Sequence, residues 1–214
     1  MRTLLTLVLL LPILTASAQK IGEMAPEKPI ETFPVNSWGI DLMFGEGGFG
    51  LGTFYQHNFT STLTGFTDFS ISESKDEKEV EYFNYYSGNS TVVGKKNRVF
   101  LMPLNFGFQQ RLFENSITDN LRPYINAGIG PSMVVTTPYE DEFFSSFKKA
   151  QARFTLGGYF GIGANFGLDK ANLLGLNLRY YIIHFFNNGV EGLENRYMND
   201  LGGFYLTLNL GIMY

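Results

Sequence analysis

The sequence predicts an all-β fold, an eight-stranded antiparallel up-and-down transmembrane β-barrel over residues 37–214. Three observations predict it. Apolar residues recur with period two over most of the chain, the spacing that a strand with two unlike faces requires. The charges inside these alternating segments share one parity, opposite to that of the Leu and Phe rows. Long and short connections take turns along the chain, as in barrels with short turns on one side of a membrane and longer loops on the other.

Composition narrows the function classes. The chain has no Cys, which excludes a disulfide framework, a thiolate metal site, a lipidated N-terminal Cys and a cysteine nucleophile. Mean hydropathy is −0.03, and no run of about 20 apolar residues exists, so a bundle of membrane helices is excluded. A net charge of −4 with a pI near 5.2 argues against nucleic acid, whose binders carry a basic patch that displaces counterions from phosphates.

The first element is a targeting segment. Arg2 precedes an apolar run from Leu4 to Leu14, followed by Ala16 and Ala18 in the A-x-A pattern. That run is too short to cross a bilayer as a helix and reads as a signal peptide over 1–18, cut before Gln19. Residues 19–36 carry Pro26, Pro29 and Pro34 among charges, a composition that buries little and donates few N–H groups. This stretch is expected to be a periplasmic tail.

The barrel follows. Its last strand is the clearest: Phe204, Leu206, Leu208, Leu210, Ile212 and Tyr214 share one face, and Tyr205, Thr207, Asn209, Gly211 and Met213 the other. Comparable alternation runs through 152–167, 174–182 and 100–111, with weaker copies at 37–44, 49–58, 61–72 and 122–135. A soluble sandwich would also alternate, so the charges must decide. Asp41, Asp68, Arg111, Arg122, Arg153 and Arg179 all fall on the face of Gly, Asn, Thr, Tyr and Ser. A solvated surface would be rich in Lys and Glu instead. Small residues with a few paired charges suit a narrow closed lumen that side chains fill. Inward Tyr124, Tyr159, Tyr181 and Tyr205 add to that plug, and the Leu and Phe face is left to meet lipid. With the N-terminus periplasmic, the connections at 58–60, 113–121 and 168–172 are short, and those at 73–97, 138–151 and 187–200 are long and outward. The turn at 46–48 is the exception. Trp38, Phe113 and Tyr214 near one end, and Phe100, Phe186 and Phe204 near the other, fit aromatic girdles.

These features resemble the small OmpA/OmpX-type barrels of the bacterial outer membrane. The final segment, Phe204 to Tyr214, is similar to the assembly signal of that class, with Tyr where Phe is commoner. The Gln19 start and the Tyr-rich loops look like barrels of the Bacteroidota. The resemblance implies export through the signal peptide to a Gram-negative outer membrane, and partners in the outer-membrane assembly machinery, outer-membrane lipid and lipopolysaccharide.

One motif points to chemistry. The run His184, Phe185, Phe186, Asn187, Asn188, Gly189 is similar to the H-x-S-N-x-G motif of lipid A deacylase barrels, whose catalytic His and Ser sit at the outer rim and face lipid. His184 has the lipid-facing parity and the rim position. The nucleophile position, however, holds Phe186, and a hydrolase of that kind needs a hydroxyl activated by the adjacent base. Glu191 and Glu194 are near enough in sequence to orient an imidazole. Without the hydroxyl, the residues favour an interfacial His.

The outward segment 73–97 joins acidic Glu73, Asp76, Glu77, Glu79 and Glu81 to Tyr82, Tyr85 and Tyr86, and ends on Lys95 and Lys96. Its strand-like part, 80–86, is expected to let neighbouring strands protrude as a sheet able to pair with a surface protein ligand. Lys95, Lys96, Lys148 and Lys149 lie on the side where lipopolysaccharide phosphates are found. The expected function is therefore display of long loops by an outer-membrane barrel with a structural or surface-interaction role, no enzymatic activity, no cofactor and no metal. The alternatives are a porin-like conduit for a small solute or hydrophobic molecule, and a lipid A deacylase-like enzyme.

Overall fold

The computed structural model describes residues 34–86, 88–114, 116–117, 120–167 and 171–214. The expected signal peptide, and the expected tail as far as residue 33, lie outside the described residues. Among the described residues, alternation becomes twelve strands: β1 (Asn36–Gly45), β2 (Gly48–Asn58), β3 (Leu63–Ser74), β4 (Glu81–Asn84), β5 (Asn89–Val92), β6 (Asn97–Arg111), β7 (Leu121–Pro138), β8 (Gln151–Phe166), β9 (Asn172–His184), β10 (Val190–Leu193), β11 (Arg196–Met198) and β12 (Asp200–Met213). Eight of them close a barrel in the order β1-β12-β9-β8-β7-β6-β3-β2. Every stave is antiparallel to its neighbours, and β12 closes on β1 with Trp38 opposite Ile212 and Gly45 opposite Tyr205.

Side chains at successive positions point to opposite faces of a strand, so the period-two pattern divides the wall. Leu51, Phe106, Ile129, Phe160, Ile182 and Phe204 are exposed on the outside, while Asp41, Asn105, Asn177 and Thr207 are buried inside. A continuous exposed apolar ring of this extent is not a water-facing surface. Hydrocarbon suits it, because closure pairs the backbone groups of every stave and leaves no edge.

The interior has three layers. Phe54, Leu173 and Met213 pack at the periplasmic end. Met43, Phe66, Tyr159, Tyr181 and Tyr205 pack around the middle. Val99, Leu101, Val134, Ile183, Phe185, Val190 and Leu201 fill the outer mouth, with Met198 against them. The middle layer explains part of the Gly content: a Cβ at Gly107 would lie 2.6 Å from the Phe66 ring and 2.1 Å from the carbonyl oxygen of Ala127. The outer layer departs from the small, polar lumen that parity suggests. Its inward side chains are covered by Phe185 and Val190, so they see a hydrophobic core instead of a pore.

Above the mouth, the long connections hold their own structure. The hairpins β4–β5 and β10–β11 form two separate two-stranded sheets. The strand-like part of 80–86 is β4, which pairs locally with β5, Tyr82 opposite Thr91, while the neighbouring β6 and β7 stay paired as far as Asn97 and Pro138. A short helix, α1 (Phe143–Ser146), runs into a 3-10 turn at Phe147–Lys149 between β7 and β8.

Candidate functional site

The six lumen charges divide into three places. Arg179, Asp41 and Asp68 meet at the centre, where Arg179 Nη1 lies 3.0 Å from Asp41 Oδ2 and 3.6 Å from Asp68 Oδ2. Asn105 Nδ2 donates to Asp68 Oδ1 at 3.0 Å, the Tyr159 hydroxyl donates to Asp68 Oδ2 at 2.7 Å, and Asn209 donates to Asp41. The Arg179 guanidinium also lies 4.9 Å from the centroid of the Tyr159 ring. Such a cluster holds charge away from water only because each carboxylate has the cation and added donors. Arg111 is at the periplasmic end, donating to the Ile117 carbonyl at 3.4 Å, and Arg122 lies at the start of β7 on the same side. Arg153 is at the outer mouth, where it donates to the carbonyls of Asn188 and Gly189 at 2.7 and 2.8 Å. It therefore ties the loop after β9 to β8 and takes no part in the central network. Phe204, Leu206, Leu210, Ile212 and Tyr214 of the terminal strand are exposed on the outer wall, with Leu208 half-buried in the same row.

Ion pairs brace the loops, those of Lys95 and Lys149 within one loop each and that of Lys96 between two. Lys95, expected to reach outward, is buried, with Nζ 2.8 Å from Glu79 and 3.7 Å from Glu73. Lys96 Nζ meets Glu191 Oε2 at 2.6 Å, and Lys149 Nζ meets Asp141 at 2.8 Å. The hydrogen bond from Lys96 draws the Glu191 carboxyl below its ordinary value, and the same bond raises Lys96.

His184 ends β9 on the outer face, in line with exposed Ile182. Its Nδ1 lies 2.6 Å from Asp200 Oδ1. The acid partner is therefore Asp200, and the expectation that Glu191 or Glu194 plays this part is corrected: Glu191 is taken by Lys96 and by the Asn195 amide. Register explains the choice, since His184 and Asp200 are direct Cα partners between β9 and β12. Two glycines follow Asp200, Gly202 at φ +130° and Gly203 at φ +127°. Both values lie where a Cβ is unfavourable, and a Cβ at Gly202 would sit 2.2 Å from the Tyr181 carbonyl oxygen. That pair shapes the start of β12 and with it the position of Asp200. Phe186 stands edge-on to the imidazole, with ring centroids 5.1 Å apart. The site is thus an oriented base at the membrane rim, with a phenyl ring where a nucleophile would stand.

A family model described as lipid A 3-O-deacylase (PagL) matches residues 37–206. The chain belongs to the lipid A 3-O-deacylase family. This membership overturns the expectation of no enzymatic activity, which rested on the missing hydroxyl at Phe186. No curated protein matches the chain. Among solved structures, Neisserial surface protein A is similar at a TM-score of 0.55 and 9% identity, covering 86% of this chain and all 100% of that one. The outer membrane protein OprG of Pseudomonas aeruginosa covers 86% of this chain and 98% of its own at 10% identity, with a TM-score of 0.46. The attachment invasion locus protein Ail of Yersinia pestis covers 82% and 95% at 11% identity, with a TM-score of 0.41. At such identities the first likeness speaks for the fold alone. This deacylase-family chain is a small barrel of the OmpA/OmpX type and resides in the bacterial outer membrane.

Proposed function

We propose that the chain hydrolyses an acyl ester of lipid A at the outer rim, with His184 as general base and Asp200 as the group that orients it. The observation carrying this reading is the 2.6 Å contact between His184 Nδ1 and Asp200 Oδ1 on the lipid-facing wall. Asp200 accepts a hydrogen bond from Nδ1–H and so keeps the proton on that nitrogen, which leaves Nε2 to act as the base. Because Phe186 has no hydroxyl, the attacking group is water. Nε2 takes a proton from the water, and the hydroxide forms a bond to the ester carbonyl carbon. The bond from that carbon to the sugar oxygen breaks, and the leaving oxygen takes the proton back from Nε2. Fatty acid and a free sugar hydroxyl are the products. A positioned base contributes about 10²- to 10⁴-fold to such a step, so direct attack by water is expected to be slower than a route through a covalent acyl-enzyme.

Mass spectra of lipid A from cells carrying the wild-type chain, the His184→Ala variant or no copy test this. Loss of one acyl chain in the wild type alone supports the reading. Identical acylation in all three removes it. The conduit reading has less support, since aromatic and aliphatic side chains occupy the middle and outer layers of the lumen.

A further inference from the structure

We infer that the wall carries a second lipid site, at the opposite rim from His184, built for one aminophospholipid of the inner leaflet. It does not rest on the rim chemistry. A groove of about 610 Å³ crosses the outer face of β2, β3, β6 and β7. Its floor is low at Ala127, the Phe59 ring lies over Gly65 at one end, and Tyr55, Phe106, Phe108 and Ile129 form the walls. The groove opens on the surface that faces hydrocarbon, so what fills it comes from the bilayer.

One end of the groove is polar. His57 Nδ1 lies 2.8 Å from Asn36 Oδ1, and the Tyr55 hydroxyl donates to the same oxygen at 2.9 Å. An amide oxygen only accepts, so Nδ1 carries the proton and Nε2 is left as the acceptor of the neutral ring. Phe59, from the connection between β2 and β3, folds back beside this end, its ring 5.1 Å from the imidazole and 2.6 Å from where a Cβ on Gly65 would stand. The imidazole is thereby held between aromatic surface and a fixed oxygen. This rim bears the short connections, which marks it as periplasmic.

An acceptor at the polar end of an apolar groove calls for an amphiphile with an N–H donor in its head group. A primary ammonium supplies three such donors and a quaternary ammonium none. That distinction separates an ethanolamine head group from a choline head group carrying the same chains.

The test uses the folded protein in phosphatidylcholine vesicles with a trace of phospholipid bearing a photoreactive diazirine on its acyl chain, followed by peptide mapping. The ethanolamine probe is expected to label residues 65–67 and 106–108 about three- to tenfold more than the choline probe, the worth of one hydrogen bond. His57→Ala should erase the head-group preference. Ala127→Phe, which fills the floor, should move the label elsewhere on the wall, and heat-modifiable gel mobility checks that each variant is folded. If Ala127→Phe does not fold, Ala127→Leu replaces it, and His57→Ala still tests the head group. Equal labelling at Leu176 and Leu206 on the far wall overturns the proposal, as does a groove left unlabelled by either probe. A stronger signal from a phosphatidylglycerol probe overturns the amine assignment.

Discussion

His184 and Asp200 stand opposite one another as Cα partners in the β9–β12 ladder, and their side chains meet at 2.6 Å on the outer face. A β-ladder is a stiff support for such a pair, since a one-residue slip of either strand would turn its own group to the other face and part the two. The first prediction concerns the orienter. Asp200→Asn keeps the size of the side chain but loses the carboxylate that stabilises a protonated imidazole, so deacylation should fall by about 10²-fold or more. Lipid A mass spectrometry over a time course measures it, and an unchanged rate would assign the base to another residue.

The second prediction concerns Phe186. Its ring meets the His184 ring edge-on with centroids 5.1 Å apart, so a hydroxyl placed there comes within reach of the base. Phe186→Ser should raise turnover and change the route to one through an acyl-serine, and its free hydroxyl should attack the phosphorus of a phosphonate ester inhibitor, expelling the leaving alcohol and labelling the protein. The wild-type chain should stay unlabelled by the same reagent. Labelling of the wild type would mean that a hydroxyl elsewhere already serves as nucleophile.

Much of this fold was legible because it rests on one periodicity. Asp41, Asp68 and Arg179 share a parity, and closure of the sheet leaves that parity nowhere to point but inward; their meeting follows from geometry once the strands are placed. The partner of His184 was not legible in the same way. Glu191 and Glu194 are closer in sequence, yet β10 turns that stretch toward Lys96, while Asp200 arrives through register, and register depends on where the loop ends. The outer mouth was hidden for a related reason. Val99 and Leu101 have the lumen parity, and whether apolar side chains there are acceptable depends on Phe185 and Val190 folding over them. The motif at 184–189 is visible in the sequence, but Phe186 at its third position conceals the deacylase relationship that residues 37–206 carry.

The third prediction is the pH range over which the surface loops stay joined. Lys96, just before β6, joins Glu191 of β10, the lysine exposed to solvent and the glutamate half-buried. Glu191 is lowered from its ordinary value of 4.5, so its contribution is present above that value and is lost as pH falls through the lowered one. Lys96 is raised from 10.5, so its contribution is complete below that value and is lost as pH rises through the raised one. Between them the tether holds. Hydrogen exchange of amides in 185–199, corrected for its intrinsic pH dependence, should be flat from pH 5 to 10 and faster below pH 4. Lys96→Ala should speed exchange about twofold at neutral pH, the modest size expected of a pair with its lysine exposed. A flat profile at acid pH in the wild type would show that the Lys96–Glu191 pair does not hold this segment.

The fourth prediction concerns the central cluster. Arg179, Asp41 and Asp68 are all buried, with side chains 4%, 1% and 2% exposed. Removing the cation leaves two carboxylates with their neutral donors alone, too little for groups so far from water. Arg179→Met should therefore cost about 3–5 kcal/mol of unfolding free energy. Replacing the three together, as Arg179→Met with Asp41→Asn and Asp68→Asn, removes the charges in both signs and should cost less than Arg179→Met alone. The order matters more than either magnitude, because it separates a charge requirement from a packing requirement. Urea titration of protein folded into vesicles, with the slope checked for constancy between variants, gives the comparison. If the triple variant proves the less stable of the two, the guanidinium holds the barrel centre through its contact with the Tyr159 ring and its bulk, and the ion pairs to Asp41 and Asp68 are secondary.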